Sequence, residues 1–241
     1  MDNQKKYAKK IIVALDVDTD KEALRLTEKL PDSEVFKVGL KLFTAKGPSL
    51  FEKLQRQNKK VFLDLKLHDI PNTVAGAVSM GVRHAVYMMT LHASGGKEMM
   101  ERAAEAAATE ASRLGTERPL LVGVTVLTSL KSEHLRSIGV VAETEGQVLR
   151  LAALAQEAGL DGVVCSPKEI ELVKGECGQG FLVVAPGIRP AWAAAQDQKR
   201  ILTPAQAVRK GADYIVIGRP IIRDPDPRNA FQKILDELRQ C

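Results

Sequence analysis

The chain has 241 residues, of which 45% are hydrophobic and 27% are charged, a composition typical of a globular protein with a large core. Its net charge is +5, but the first ten residues contribute +3 of this through four lysines and one aspartate. Basic residues are scattered elsewhere and only 4% of the residues are aromatic, which argues against a nucleic-acid-binding protein. We expect residues 1–10 to form a solvated basic tail.

The spacing of the cysteines and the lengths of the apolar segments indicate the cellular compartment in which the protein is expected. Cys165, Cys177 and Cys241 are far apart and form no C-x-x-C pair, which favours a reducing environment. The N-terminus has no apolar signal region, and no stretch approaches 18 consecutive apolar residues. We therefore predict a cytoplasmic protein without a membrane segment.

Short apolar segments alternate with longer amphipathic segments along the whole chain, the pattern of parallel strands joined by helices. The predicted strands cover residues 11–16, 35–39, 60–66, 85–92, 120–127, 162–165, 181–185 and 214–217. The predicted helices cover residues 20–30, 48–57, 72–83, 97–114, 132–138, 144–158, 167–173, 204–210 and 227–239.

Eight strand–helix units in a chain of this length predict a (β/α)8 TIM barrel, an α/β fold of typically ~250 residues. A doubly wound open sheet is the alternative, but no G-x-G-x-x-G follows the first predicted strand. Since no linker or break in composition divides the chain, we predict that residues 1–241 form a single domain. Barrel active sites lie at the carboxyl ends of the strands. The polar residues at those ends are Asp16, Lys37, Asp64, Lys66, Asp69, His92, Thr128, Ser129, Arg189, Gly218 and Arg219.

The third predicted strand carries an unusual concentration of charge. Side chains alternate along a strand, so Asp64 and Lys66 share one face while Leu65 lies on the other. Both faces of a parallel barrel strand are covered, and buried Asp and Lys are rarely tolerated unless they are paired. The pair therefore indicates either a structural salt bridge or a functional site. Asp69 follows in the loop before the next helix.

Two Gly-Arg turns follow the seventh and eighth predicted strands. The first is P-G-I-R-P at residues 186–190, which contains Arg189, and the second is Gly218-Arg219-Pro220. The loops after strands seven and eight form the usual phosphate site of such barrels. Glycine lets backbone N–H groups approach a phosphate, and arginine adds a bidentate contact. The alternative is a pair of plain turns with solvated arginines.

Taken together, these motifs resemble the bacterial orotidine 5'-monophosphate decarboxylases. The matching segments are A-L-D at residues 14–16, F-K-V-G at 36–39, D-L-K-L-H-D-I-P-N-T at 64–73, V-T-V-L-T-S at 124–129, P-G-I-R-P at 186–190, D-Q-K-R at 197–200 and I-G-R-P at 217–220. The resemblance implies decarboxylation of orotidine 5'-monophosphate to uridine 5'-monophosphate, the last step of pyrimidine nucleotide synthesis. It also implies a small-molecule substrate, no metal, no organic cofactor and a homodimer.

The resemblance further implies roles for individual residues. A network of alternating charges would consist of Lys37, Asp64, Lys66 and Asp69. Lys66 would deliver the proton to C6 of the pyrimidine, while Asp16 and Lys37 would bind the ribose hydroxyls. Asp69 and Thr73 would complete the active site of a neighbouring subunit. The implied contacts to the base and the phosphate are Thr128, Ser129, Arg189, Gln198, Gly218 and Arg219.

One segment departs from the family pattern. Family members usually have Gly-Asp-Gln before the last phosphate contact, whereas this chain has Gln196-Asp197-Gln198. If the family's glycine has a positive φ, Gln196 is strained there or the loop takes a different path. We expect this loop, which also contains Trp192, to form a lid over the phosphate.

Two other functions remain open at this point. Related D-x-K-x-x-D sugar-phosphate enzymes, the 3-keto-gulonate-phosphate decarboxylases and hexulose-phosphate synthases, use Mg²⁺ and carry an acidic residue near the position of Lys37. Lys37 would repel a cation, and the histidines show no metal-ligand spacing, so we predict no metal. A non-catalytic nucleotide-binding protein is the second alternative, although a pure binder would not need opposed buried charges. For His68 we favour a structural or interface role, because Lys66 already occupies the proton-donor position.

Overall fold

A computed structural model describes residues 3–193 and 202–240, and eight parallel strands in it close into a barrel. The strands follow one another around the barrel in sequence order, and the last one pairs with the first. The predicted (β/α)8 fold is therefore confirmed. The strands are β1 (Ile11–Ala14), β2 (Val35–Gly39), β3 (Lys60–Leu67), β4 (Met88–His92), β5 (Leu120–Val124), β6 (Gly162–Val164), β7 (Leu182–Ala185) and β8 (Tyr214–Ile217).

Helices connect successive strands, and none of those that the structure describes is long and apolar enough to span a membrane. The helices are α1 (Asn3–Ala8), α2 (Asp20–Lys29), α3 (Leu40–Lys46), α4 (Ser49–Arg56), α5 (Pro71–Arg83), α6 (Lys97–Leu114), α7 (Ser132–Ser137), α8 (Thr144–Glu157), α9 (Ile170–Cys177), α10 (Pro204–Arg209), α11 (Arg219–Ile222) and α12 (Pro227–Arg239).

Several predicted boundaries were wrong, most clearly at β4 and β5. The prediction began β4 at residue 85, but Ala85 has a φ of 49° and lies in a turn, so the strand begins only at Met88. The prediction ended β5 at residue 127, but the strand ends at Val124. Both errors arose because apolar residues continue into the flanking turns.

Three short helices were not predicted. Residues 3–8, expected to be a solvated tail, form α1, and its Ala8 is buried against the core. Helix α3 follows β2 directly, and α11 begins at the predicted phosphate contact Arg219. The predicted helix at residues 167–173 begins with a 3₁₀ turn before α9. Short helices of this kind lack the repeated apolar spacing that identifies longer ones.

Two apolar layers hold the barrel together. Side chains alternate along each strand, so one set fills the barrel and the other packs against the surrounding helices. At the amino ends of the strands, the hydroxyl groups of Tyr87 and Tyr214 lie 2.7 Å apart and close the interior. The buried interior residues are Ile12, Ala14, Val35, Phe62, Met88, Val122, Val184 and Val216.

The amino-terminal rim of the barrel is fixed by aspartates that precede strands. The Asp213 carboxylate, just before β8, accepts hydrogen bonds from the Val183 backbone N–H at 2.8 Å and from the Lys174 ammonium at 2.8 Å. The Lys174 side chain is only 5% exposed. Asp161, before β6, accepts two hydrogen bonds from Arg118 at 2.6 and 2.7 Å. These contacts join neighbouring strands at the end of the barrel that faces away from the strand carboxyl ends.

The Asp213 contact predicts a stability effect. Replacing Asp213 with Ala removes the partner of a buried ammonium and of a backbone N–H, so we expect the free energy of unfolding to fall by about 2–4 kcal/mol. The control is Glu105→Ala, which removes an exposed pair with Arg102 on α6 and should change it by at most about 0.5 kcal/mol. Urea unfolding measures both, and equal effects would contradict the prediction.

Candidate active site

Four charged side chains form a continuous chain at the carboxyl ends of β1, β2 and β3. The Lys37 ammonium lies 3.3 Å from Asp16 and 3.4 Å from Asp64. The Lys66 ammonium lies 2.8 Å from the other oxygen of Asp64. The side chains of Lys37 and Asp64 are each 13% exposed, and that of Lys66 is 30% exposed. The structure thus brings together three of the four residues of the expected network, with Asp64 between two ammonium groups.

Asp64 is ionised in this environment. Burial alone would raise the pKa of its carboxyl group, but the charges of Lys37 and Lys66 act in the opposite direction. Hydrogen bonds from Lys66 and Thr90 add to the stabilisation of the carboxylate. The net result is a pKa of Asp64 below its ordinary value, so the site holds one fixed negative charge between two positive ones.

The backbone of β3 is distorted at Lys66. This residue has a φ of 53°, and the pairing of β3 with β4 changes register between Leu63 and Leu67. A non-glycine residue in the left-handed region costs about 1–3 kcal/mol, and such strained residues cluster at functional sites. Asp64 and Lys66 both line the same cavity, as predicted, but the regular strand alternation assumed for them was wrong.

The charged residues form one wall of a cavity of about 190 Å³. Most of the other residues that line it are apolar, and Thr128 lines it as well. Such a cavity suits a flat ring with a polar side and an apolar side, because water is excluded from one face only. The apolar lining residues are Phe62, Val124, Val126, Leu127, Val164, Cys165, Val184, Pro186 and Val216.

A second cavity, of about 380 Å³, adjoins the charged residues and extends toward the turns after β7 and β8. Arg189, Gly218 and Arg219 line it, together with Asp16. A Cβ atom at Gly218 would lie 3.3 Å from Asp16 Oδ2, so glycine keeps this turn close to β1. The two predicted Gly-Arg turns therefore face one space, which is continuous with the charged network.

The sequence analysis missed two residues of this region. Arg223, just after α11, lines a cavity of about 250 Å³ that it shares with Arg189 and Arg219. Its four-residue spacing from Arg219 was the available signal. The other missed residue is Thr90, whose hydroxyl donates a hydrogen bond to Asp64 at 3.1 Å. No local sequence signal distinguishes Thr90 from an ordinary strand residue.

Other predicted site residues lie apart from the network. Asp69 and Thr73 are exposed at the start of α5, and the Asp69 carboxylate accepts a hydrogen bond from the Ile70 N–H at 2.7 Å. Within residues 3–193 and 202–240, Asp69 forms no ion pair. Ser129 lies in an exposed turn and does not line the cavity beside Thr128.

The predicted lid is described only in part. Trp192 is 44% exposed, and the Lys233 ammonium lies 5.5 Å from the centre of its ring. Gln196, Asp197 and Gln198 lie outside the described residues. The role expected for Gln198 therefore stays a prediction.

Two histidines lie next to the network. The rings of His68 and His92 are 5.3 Å apart, and His92 ends β4. Burial lowers the pKa of His92, and the neighbouring His68 and Lys66 side chains lower it further, whereas Asp64 opposes them. His92 is therefore neutral near pH 7. In the part of the chain that the structure describes, no three His, Cys, Asp or Glu residues are grouped to hold a metal ion.

The lowered pKa of His92 predicts a pH-dependent stability. The unfolded chain binds a proton at His92 near pH 6.5, whereas the folded chain binds it only at lower pH, so acid favours unfolding. We expect the free energy of unfolding to fall between pH 7.5 and pH 5.5, and to fall less in His92→Gln. Asp64 does not contribute here because its carboxyl group titrates below this range. Identical pH dependences in urea unfolding would contradict the prediction.

Comparisons with known proteins extend over the whole barrel. The family described as "Orotidine 5'-phosphate decarboxylase / HUMPS family" matches residues 9–234. The orotidine 5'-phosphate decarboxylase of Pelobacter propionicus is 51% identical over 237 residues, which is 98% of each chain. That of Trichlorobacter lovleyi is 51% identical over 230 residues, or 95% of each chain.

Solved structures give the same result. The orotidine 5'-phosphate decarboxylase of Lactobacillus acidophilus superposes with a TM-score of 0.85 at 37% identity, covering 95% of this chain and 99% of that one. The enzyme of the same name from Pyrococcus horikoshii gives a TM-score of 0.75 at 25% identity, with the same coverage.

Proposed function

The chain belongs to the orotidine 5'-phosphate decarboxylase / HUMPS family, and from this we propose that it converts orotidine 5'-monophosphate to uridine 5'-monophosphate and CO₂ in pyrimidine biosynthesis. The observation that carries the proposal is the Asp64 carboxylate held between two ammonium groups beside a half-apolar cavity. A cytoplasmic location and the absence of a cofactor stay predictions.

The chemistry of the substrate explains why such a site is needed. When the bond between C6 and the carboxylate breaks, its electron pair stays on C6, where the ring π-system cannot delocalise it well. A fixed positive charge in a water-poor site stabilises this carbanion. The Lys66 ammonium supplies that charge and then the proton that forms the new C6–H bond. Lys66 is left as a neutral amine, and CO₂ leaves.

Asp64 has two effects in this scheme. It holds the Lys66 ammonium in place through the 2.8 Å contact. It also repels the substrate carboxylate: two like unit charges about 4 Å apart at an effective dielectric constant of about 20 interact by about 4 kcal/mol. Loss of neutral CO₂ relieves this repulsion. We expect stabilisation of the carbanion by Lys66 to contribute more to the rate than this repulsion. Destabilisation of a bound substrate is the harder of the two effects to verify from a structure.

The remaining predicted residues bind the rest of the nucleotide. Arg189, Gly218 and Arg219 bind the phosphate in the second cavity, where arginine makes charge-assisted bidentate contacts. The Asp16–Lys37 pair, at the junction of the two cavities, binds the ribose hydroxyls. Contacts far from C6 contribute to the rate when they tighten in the transition state. Thr128, Ser129 and Gln198 stay predicted contacts to the base and the phosphate.

A magnesium-dependent sugar-phosphate enzyme is the alternative within this family. Those relatives carry an acidic residue near the position of Lys37. Here the Lys37 ammonium lies 3.4 Å from Asp64, so a divalent cation bound there would be repelled. This contact favours the decarboxylation of a nucleotide over the alternative.

We also propose that the active site is completed by a second copy of the chain. Asp69 and Thr73 are exposed, and the Asp69 carboxylate accepts a hydrogen bond from the Ile70 N–H, as expected of residues that act in a partner's site. Ile70, between them, is 67% exposed, and Leu40 at the start of α3 is 57% exposed. Burial of these apolar side chains would favour association.

The first test is turnover in the presence of EDTA. We expect the ultraviolet band of orotidine 5'-monophosphate to disappear with the wild type, and Lys66→Ala to be slower by at least about 10³-fold. The control is Lys21→Ala, which removes an exposed lysine on α2 and should leave the rate unchanged. A wild-type protein that binds uridine 5'-monophosphate but does not turn over the substrate would overturn the proposal. Activity lost in EDTA would favour the sugar-phosphate relatives.

The second test is subunit mixing. If Asp69 acts in its partner, each site uses Lys66 from one chain and Asp69 from the other. A dimer of one Lys66→Ala chain and one Asp69→Ala chain then contains one site with both substitutions and one intact site. Random mixing of two inactive variants should therefore restore about one quarter of the wild-type activity. Different affinity tags on the two chains verify that exchange occurred. No recovery after proven exchange would show that Asp69 does not act across the interface.

A further inference from the structure

We propose that Thr90 is a positioning residue for this site, whose hydroxyl fixes the backbone of Lys66 and the carboxylate of Asp64 in one arrangement. The inference rests on the proposed function for its catalytic consequence. Thr90 lies on β4, two residues after Met88 of the barrel interior, and is only 1% exposed. Thr90 does not line either of the two cavities described above. It therefore acts through Lys66 and Asp64.

The hydroxyl of Thr90 forms one hydrogen bond with Lys66 and one with Asp64. Its oxygen accepts a hydrogen bond from the Lys66 backbone N–H at 2.8 Å. Its proton is donated to Asp64 Oδ1 at 3.1 Å, the same oxygen that holds the Lys66 ammonium at 2.8 Å. A hydroxyl has one donor and can accept at the same time, so Thr90 satisfies both contacts with one group.

The distortion of β3 explains why a side chain is needed here. In a regular parallel pair, the Lys66 N–H would bond to a backbone carbonyl of the adjacent strand. The register shift between Leu63 and Leu67 interrupts the β3–β4 ladder at this place. Thr90 Oγ1 provides the missing acceptor, and thus compensates for the left-handed φ of Lys66.

Loss of the hydroxyl has a defined consequence. Thr90→Val keeps the shape but leaves the Lys66 N–H without this acceptor and Asp64 Oδ1 with one donor fewer. A buried unpaired N–H favours a rearranged backbone, and rearrangement of residue 66 moves its ammonium relative to C6. Displacement of a catalytic group by about 1 Å can reduce the rate by about 10²-fold. The phosphate contacts follow β7 and β8, away from β4, so we expect them to be unaffected.

The kinetic test separates positioning from folding. We expect kcat of Thr90→Val to fall by about 10–100-fold, with the Kd for uridine 5'-monophosphate within about threefold of wild type. Thr90→Ser keeps the hydroxyl and should restore kcat to within about threefold. The matched control is Thr27→Val on α2. It removes a buried hydroxyl that is bonded to Leu24 and Gln57. It should lose stability without losing kcat.

Several results would overturn the inference. They are an unchanged kcat in Thr90→Val, a Thr90→Ser variant as slow as Thr90→Val, or an equal loss of kcat in Thr27→Val. If Thr90→Val does not fold, Thr90→Ala carries the same expectation, since it also lacks the hydroxyl. Amide hydrogen exchange provides a readout that is independent of turnover: the Lys66 amide should lose protection in Thr90→Val and keep it in Thr90→Ser. This second readout tests the inference even if the wild type shows no decarboxylation.

Discussion

The placement of one buried carboxylate between two ammonium groups is the constraint on which the rest of this structure depends. A lone buried charge is strongly unfavourable, so Asp64 is stable only when Lys37 and Lys66 are both in place. These residues, with Thr90, come from three adjacent strands, and the parallel pairing of β2 with β3 and of β3 with β4 brings them together. The global fold and the local electrostatics therefore specify each other.

Stability and function are divided between the two ends of the barrel. At the amino-terminal rim, charged groups are satisfied within the fold: Asp213 and Lys174 bond to backbone groups and to each other, and the buried Lys59 ammonium donates to three carbonyl groups. At the carboxyl-terminal rim, Arg189 and Arg219 line the second cavity. The first arrangement strengthens the barrel without a ligand, and the second leaves binding capacity for an anion.

The features predicted best from the sequence are those that local sequence patterns determine. Helices α6 and α12 begin and end as predicted, because a left-handed Gly115 ends the first and Asp226 caps the second before Pro227. Lys37, Asp64 and Lys66 were found because polar residues at the ends of apolar strands are unusual. Thr90 was missed because threonine is common in strands, and the φ of Lys66 was missed because only the pairing with β4 produces it.

The left-handed backbone of Lys66 also affects how the protein can change over time. Residue 66 has a conformation that glycine adopts without strain and lysine does not. At the level of the backbone alone, Lys66 is therefore a less favourable occupant than glycine would be. Glycine at this position would relieve the backbone cost but would leave the buried Asp64 carboxylate with one ammonium partner fewer, so the two effects on stability oppose each other. Residue 66 thus combines a backbone cost with an electrostatic benefit, and a single substitution there removes both together.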